Sequence, residues 1–271
     1  MRTLKLIEQD HQVKVGERSP AIEPNVTEDC LLEVDGEVIG FYIKDVTLKY
    51  DRLGKLMALA NKEFRSDNVT KSLLVRSDVL QIVKEEGIKR REAIKRGTIQ
   101  MSTILGSIPP KPHMRRPYPN ISSVHREKST RTFVKAMWAA SIEAEKIIKE
   151  IAPHIYHNQR GLLDEVEEAW RFGNLFTSSI SNFNISAPYH RDTGNIKGAV
   201  NVILTKRKNA TGGSLNVPDY GATFEQADNS MLVYPAWRNV HGVTPIEETQ
   251  KEGYRNSLIF YALKAFVGIE A

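Results

Sequence analysis

The chain has 271 residues, 41% of them apolar and 26% charged, with a net charge of +5, the composition of an ordinary soluble globular protein. No apolar run is long enough for a membrane span and no signal-peptide core follows the first residues, so a soluble, intracellular protein without membrane contact is expected. A single cysteine, Cys30, excludes an intramolecular disulfide and any thiolate cluster, so a metal here must be held by His and carboxylate.

Residues 1–30 carry polar and proline breaks without periodicity and read as a loosely structured lead-in. Leu31 to Lys44 alternates apolar and polar residues around Asp35-Gly36, the pattern of a two-residue hairpin. Helices are expected from Asp51 to Phe64 and from Asp78 to Arg96, with Asp51 and Asp78 as N-caps. Leu105 to Pro119 holds five prolines and is basic and extended, which suits a ligand-contacting loop or a linker. From Ile88 to Arg131 eleven Lys and Arg stand against two Glu, a local balance of +9. Such a stretch is either a polyanion-binding surface or a solvated helix face.

Ser129 to Ile151 reads as a long amphipathic helix with Phe133, Met137, Ala140, Ile147 and Ile151 near one face, ending before Pro153. Asp164 to Phe172 reads as a shorter one. After Ser178 the texture changes to short strands: Gly198 to Thr205, Ser214 to Val217, Ser230 to Tyr234 and Ser257 to Leu263. Gly212-Gly213, Asp219 to Gly221 and Asp228-Asn229 separate them as turns. Helices first and regularly spaced strands after predict an α+β chain with a double-stranded β-helix (jelly-roll) core at residues 101–271 and an N-terminal extension of hairpin and helices at 1–100. No glycine-rich phosphate loop is present.

His190 and Asp192 form His-x-Asp, and two residues that far apart on a strand share a face and can reach one ion. His241 follows about fifty residues later as a third ligand. Two imidazoles and one carboxylate on one side of a metal leave its other side open, as in the facial triad of non-haem iron(II) oxygenases; hydrolytic zinc accepts the same ligands. Arg255 lies fourteen residues past His241 at the start of the last strand, placed to clamp the far carboxylate of 2-oxoglutarate, with the Ser257 hydroxyl as a second donor. A surface arginine after the Gly253-Tyr254 turn is the bland alternative. A zinc hydrolase would leave Arg255 and Ser257 unexplained, so Fe(II), 2-oxoglutarate and O2 are expected. His154 and His157, with no carboxylate or third His beside them, read as structural.

With these residues in place, and His190-Arg-Asp192-Thr-Gly-Asn195 above all, the chain resembles the TET/JBP family of 2-oxoglutarate dioxygenases, in patches from about Ser102 to Phe266. The resemblance implies oxidation of the methyl group of 5-methylcytosine or thymine in DNA to hydroxymethyl, or further. It implies that Asn195 hydrogen-bonds a flipped base. It also implies that Asn216, in Leu215 to Pro218, stands where the family places a His near 2-oxoglutarate. The segment from Leu105 to Arg116 is similar to one that supplies another arginine to the co-substrate, with Arg115 and Arg116 as candidates. Tyr189 and Trp237 flank ligands in sequence and either stack on the base or belong to the core. The basic segment and Lys206-Arg207-Lys208 would neutralise phosphates. No cysteine-rich zinc region or separate base-binding module of the larger members is evident, nor an obligate protein partner. A compact microbial or bacteriophage member, acting in a bacterial cytoplasm if phage-encoded, is the expectation. The alternatives are the same chemistry on a protein residue or free nucleobase, and a catalytically silent DNA-binding jelly roll.

Overall fold

The computed structural model describes residues 1–73, 83–84, 86–89, 92, 100–111 and 117–270; most of the expected helix from Asp78 to Arg96, and both Arg115 and Arg116, lie outside the described residues. The chain opens with β1 (Arg2–Lys5), β2 (Cys30–Val34), β3 (Glu37–Ile43), α1 (Asp51–Arg65) and β4 (Ser72–Leu73). Then come β5 (Met101–Ile108), β6 (Asn120–Ile121), the single turn α2 (Ser123–Arg126), α3 (Arg131–Ile151) and α4 (Pro153–Leu162). Strands follow: β7 (Ser178–Phe183), β8 (Ala187–His190), β9 (Asn201–Lys208), β10 (Ala210–Gly212), β11 (Leu215–Val217) and β12 (Ala222–Phe224). The last are β13 (Met231–Tyr234), β14 (His241–Val243), β15 (Ile246–Glu248) and β16 (Tyr254–Tyr261).

A ten-stranded sheet runs β1-β2-β3-β13-β9-β16-β7-β5-β4, with β6 on β5; a four-stranded sheet runs β12-β11-β14-β8, and β10 pairs with β15. Side-chain alternation decides what each face meets. Val202 and Leu204 of β9, with Leu258 and Phe260 of β16, turn toward the helices and pack with Phe64 of α1 and Phe133, Met137 and Ala140 of α3. Ile203 turns the other way and joins Leu215, Val217 and Phe224 of the smaller sheet. The result is the expected double-stranded β-helix, with helices covering the outer face of the larger sheet. Each large side chain in the helix-facing layer contributes roughly 1.5–3 kcal/mol by its burial.

The hairpin forms where the alternation placed it. Asp35 and Gly36 both have positive φ, 51° and 83°, as a type I′ turn requires. The lead-in is more ordered than expected. β1 pairs in parallel with β2, and the stretch after it runs along the smaller sheet as a strap. There Gln9 N donates to Asp219 O, Gly16 N to Tyr189 O, and Tyr189 N to Glu17 O. These backbone bonds satisfy the chain without any side-chain periodicity, so the sequence does not advertise them. Asp51 is the first residue of α1 and not its cap, which is Tyr50. The expected helix from Asp164 to Phe172 shrinks to one 3-10 turn at Glu168–Trp170. Its apolar residues are pulled apart: Val166 and Trp170 pack with Phe266, whereas Phe172 joins the helix-side core. No described helix is long and apolar enough to cross a membrane.

Candidate active site

β8 and β14 are antiparallel neighbours, and their register sets His190 directly opposite His241. The two rings lie 4.4 Å apart between centroids. Asp192 sits just past the end of β8, in a turn where its N–H donates to Ala236 O and its carbonyl accepts from Asn195 N. The third ligand is therefore aimed by a turn and not by strand alternation. Asp192 Oδ1 lies 3.5 Å from His190 Nε2 and 4.0 Å from His241 Nε2. Among the described residues these three make the one group of His, Cys, Asp or Glu placed to hold a metal, with ligand atoms within 4.8 Å of one another.

The other ring nitrogens are anchored. His190 Nδ1 donates to Pro188 O at 2.8 Å and His241 Nδ1 to Asn239 O at 3.1 Å. A carbonyl only accepts, so each Nδ1 carries the proton and each Nε2 keeps its lone pair for a metal. Burial, and then the neighbouring His190, lowers the pKa of His241 and keeps it neutral. For Asp192, burial works upward; the contact with the His190 ring, the neighbouring His241 ring and a bond from Asn201 outweigh it and hold the carboxyl below its usual range. Neutral imidazoles and an ionised carboxylate are the donor set that iron(II) takes.

The triad lines a cavity of about 450 Å³ between the sheets, whose walls include Asn195, Asn201, Ile203, Arg255, Ser257 and Tyr261. His190 has 41% of its side chain exposed and His241 only 5%, so the cavity opens beside His190. Arg255 is enclosed. Its Nη2 reaches Gln226 Oε1 at a long 3.5 Å, and its buried Nε has no hydrogen-bond partner among the described residues. Among the described residues no carboxylate pairs with it. Burial, and then the nearby Arg207 charge, pushes its pKa down to about 9. A buried guanidinium short of partners is a site for an anion. Ser257, two residues along β16, lines the same cavity.

Several expected contacts fall elsewhere. Tyr189, adjacent to His190 on β8, points to the opposite face; its hydroxyl donates to Asn216 Oδ1 at 2.7 Å beneath Ser19 of the strap. Asn216 is likewise turned out of the cavity, with its Nδ2 on Thr223 Oγ1. Strand alternation explains both: the cavity takes His190 and Leu215, and their neighbours must face away. Trp237 does not line the cavity either, and its buried Nε1 has no hydrogen-bond partner among the described residues. Lys206-Arg207-Lys208 is the end of β9 and not a free loop. Lys206 binds Asp228 and Asn229, and Arg207 is half-buried and donates to Gly212 O. His154 sits on α4 with Nε2 on Val38 O, in a structural role. Two site residues were missed: Asn201 and Tyr261. A lone Asn in the apolar run Ala199-Val-Asn-Val-Ile, in phase with the inward Ile203, was the available signal for the first. Tyr261, in phase with Arg255 and Ser257, was the signal for the second.

Two facing sheets carrying this triad and a buried arginine define the class of iron(II)- and 2-oxoglutarate-dependent oxygenases. A family model, Tet_JBP, described as the oxygenase domain of the 2OGFeDO superfamily, matches residues 112–264, and the chain belongs to that family. The protein is thus an oxygenase that uses Fe(II) and 2-oxoglutarate, with His190, Asp192 and His241 as its facial triad. A comparison with curated proteins gives no match. Among solved structures, NgTET1 in complex with 5mC DNA is similar at 13% identity and a TM-score of 0.56, over 94% of this chain and 84% of that one. A bsmA homologue from Methylobium petroleophilum PM1 is 10% identical with a TM-score of 0.46, over 92% and 98% of the two chains. OsALKBH1 is 14% identical with a TM-score of 0.40, over 81% and 96%. At these identities the likeness to NgTET1 is one of fold.

Proposed function

We propose that this enzyme oxidises the methyl group of a 5-methylpyrimidine, 5-methylcytosine or thymine, in DNA. The observation that carries the reading is Asn195: a polar amide on the cavity wall, linked through a single side chain to the metal ligand Asp192. An amide there meets the edge of a flat heterocycle whose methyl group faces the triad. Family membership and the fold shared with NgTET1, determined with 5mC DNA, support it.

Bound iron(II) and 2-oxoglutarate supply oxygen activation, coupling conversion of the co-substrate to succinate and carbon dioxide with insertion of one oxygen atom into a methyl C–H bond. The protein holds, orients and encloses. His190 and His241 through Nε2, and Asp192 through Oδ1, would hold the metal. Arg255 and Ser257 take the far carboxylate of 2-oxoglutarate, and Arg116 is the sequence candidate for a further cationic contact. Ile180, Ile203, Leu215, Val243 and Ile259 exclude water from the cavity. Tyr261, the one Tyr, Phe or Trp on its wall among the described residues, takes the stacking role first considered for Tyr189 and Trp237. Burial and the Asp192 charge raise the Tyr261 pKa, so its hydroxyl stays a donor. A cavity enclosed between sheets cannot admit a stacked base, so the nucleotide must be flipped or single-stranded.

The test incubates the protein with iron(II), 2-oxoglutarate and DNA containing either base, followed by mass analysis of the nucleosides. One base should gain an oxygen, and His190→Ala should abolish the gain. Turnover of 2-oxoglutarate with neither base changed would overturn the DNA reading and point to a protein residue or free nucleobase.

A further inference from the structure

Asn201 opens β9 and is buried to 3% exposure between a metal ligand and a wall residue. Its Nδ2 donates to Asp192 Oδ2 at 2.9 Å, and its Oδ1 accepts from Asn195 Nδ2 at 2.8 Å. The direction of these bonds follows from charge. An ionised carboxylate only accepts, so Asn201 must turn its amino group to Asp192. Its carbonyl oxygen then faces Asn195, which must answer with its own amino group. Neither amide can be flipped without setting two acceptors or two donors against each other.

Two consequences meet at this side chain. Asp192 has Oδ2 engaged, which leaves Oδ1 as the oxygen nearest His190 and His241 Nε2. Asn195 has its Nδ2 engaged, which leaves Oδ1 for the cavity; among the described residues no hydrogen bond takes it.

We propose that Asn201 is a positioning residue that fixes both the ligating oxygen of Asp192 and the polarity of Asn195, so that the site selects a substrate presenting a hydrogen-bond donor. This rests on the methylpyrimidine reading. When the methyl group on C5 faces the triad, the polar ring neighbour is position 4, because C6 carries only a C–H bond. Cytosine has an amino donor at position 4, and thymine has a carbonyl. An outward Asn195 Oδ1 accepts from the first and opposes the second, so 5-methylcytosine is the substrate selected.

The experiment pairs two readouts on wild type, Asn201→Leu and Asn195→Ala. The first is cobalt(II) affinity of the metal-free protein, followed by visible absorption. Asn201→Leu should weaken it roughly 10–100-fold, and Asn195→Ala should leave it within about threefold. The second is the rate ratio for 5-methylcytosine over thymine in matched duplexes. Wild type should favour cytosine by about tenfold or more, and both variants should lose most of that ratio. Unchanged cobalt affinity and an unchanged ratio in Asn201→Leu overturn the proposal, as does a wild type that prefers thymine. A wild type that oxidises neither base defeats the substrate reading, and base selection with it; the cobalt titration then still decides whether Asn201 positions Asp192. Should Asn201→Leu fail to fold, Asn201→Ser breaks the same relay with a polar side chain and is held to the same outcomes.

Discussion

Arg255 is stable in its place only at some cost to the fold. A buried cation short of partners is penalised until an anion arrives. Replacing it with Met should stabilise the ligand-free protein by about 1–3 kcal/mol, seen as a higher thermal midpoint, while 2-oxoglutarate binding is lost. Saturating 2-oxoglutarate should raise the midpoint of wild type alone; an equal rise in Arg255→Met would remove Arg255 from the co-substrate site. The pH dependence has a definite sign. With the folded pKa lowered to about 9, the empty site keeps its charge below that value and loses it above. Affinity for 2-oxoglutarate should therefore be level from about pH 7 to 8.5 and fall beyond 9, as calorimetric titration would record. Between that value and the ordinary arginine range the unfolded chain binds more protons than the folded one, so this penalty on stability is relieved as pH rises.

Glu145 makes a contrasting case on α3. It accepts from Asn174 N, Asn174 Nδ2 and Leu175 N, and burial is the leading reason that its pKa is raised despite them. A raised carboxyl is a penalty that grows as pH climbs from the ordinary Glu range to the raised folded value. Glu145→Gln should thus lie within about 1 kcal/mol of wild type at pH 7, and Glu145→Ala should lose about 2–4 kcal/mol by urea denaturation, since three N–H donors lose their acceptor. At this scale the ligands and Arg255 were legible because their residue types and spacing are rare together. The stacking reading of Tyr189 took adjacency in sequence for adjacency in space, although on a strand it means the opposite, and the structure takes the core alternative; Asn216 was placed by the resemblance alone, and its strand turns it away from the cavity.

At the scale of elements, β8 is an edge strand of the smaller sheet and carries a metal ligand. The strap closes that edge through Gly16 N to Tyr189 O and Tyr189 N to Glu17 O. Gly16 has φ +93°, which proline cannot adopt, and proline would also remove the donor. Gly16→Pro should therefore loosen β8 and weaken cobalt(II) binding about tenfold, although Gly16 lies far from the ligands in sequence. Unchanged affinity would show that β8 holds its place without the strap. α3 was readable from its 3.6-residue period, since Phe133, Met137, Ala140 and Ile147 all reach the core. The strap was not, because its order comes from backbone bonds to residues some two hundred positions away.

For the whole molecule, the proposed DNA substrate makes charge the property to test. The positive balance between Ile88 and Arg131 is a property of the sequence, and neutralising Lys89, Arg90 and Arg91 should weaken DNA binding and lower the slope against log salt by roughly one per charge removed. Lys206→Gln should leave that slope unchanged, because Lys206 is already engaged by Asp228 and Asn229. A slope that falls equally in both would assign the DNA surface to the end of β9. The jelly-roll class was legible from evenly spaced strands and turn glycines. The incorporation of β1, β2 and β3 into the large sheet was not, since it joins strands far apart along the chain.

The pairing of His190 with His241 across one rung of the smaller sheet has a consequence for metal capture. Two of the three ligands are preorganised by strand pairing, and the third, Asp192, stands in a turn outside that ladder. Chelation then spends little conformational entropy, and most of it falls on residues 191–195. Metal loading should slow amide hydrogen exchange in that turn and leave β8 and β14 nearly as protected as before.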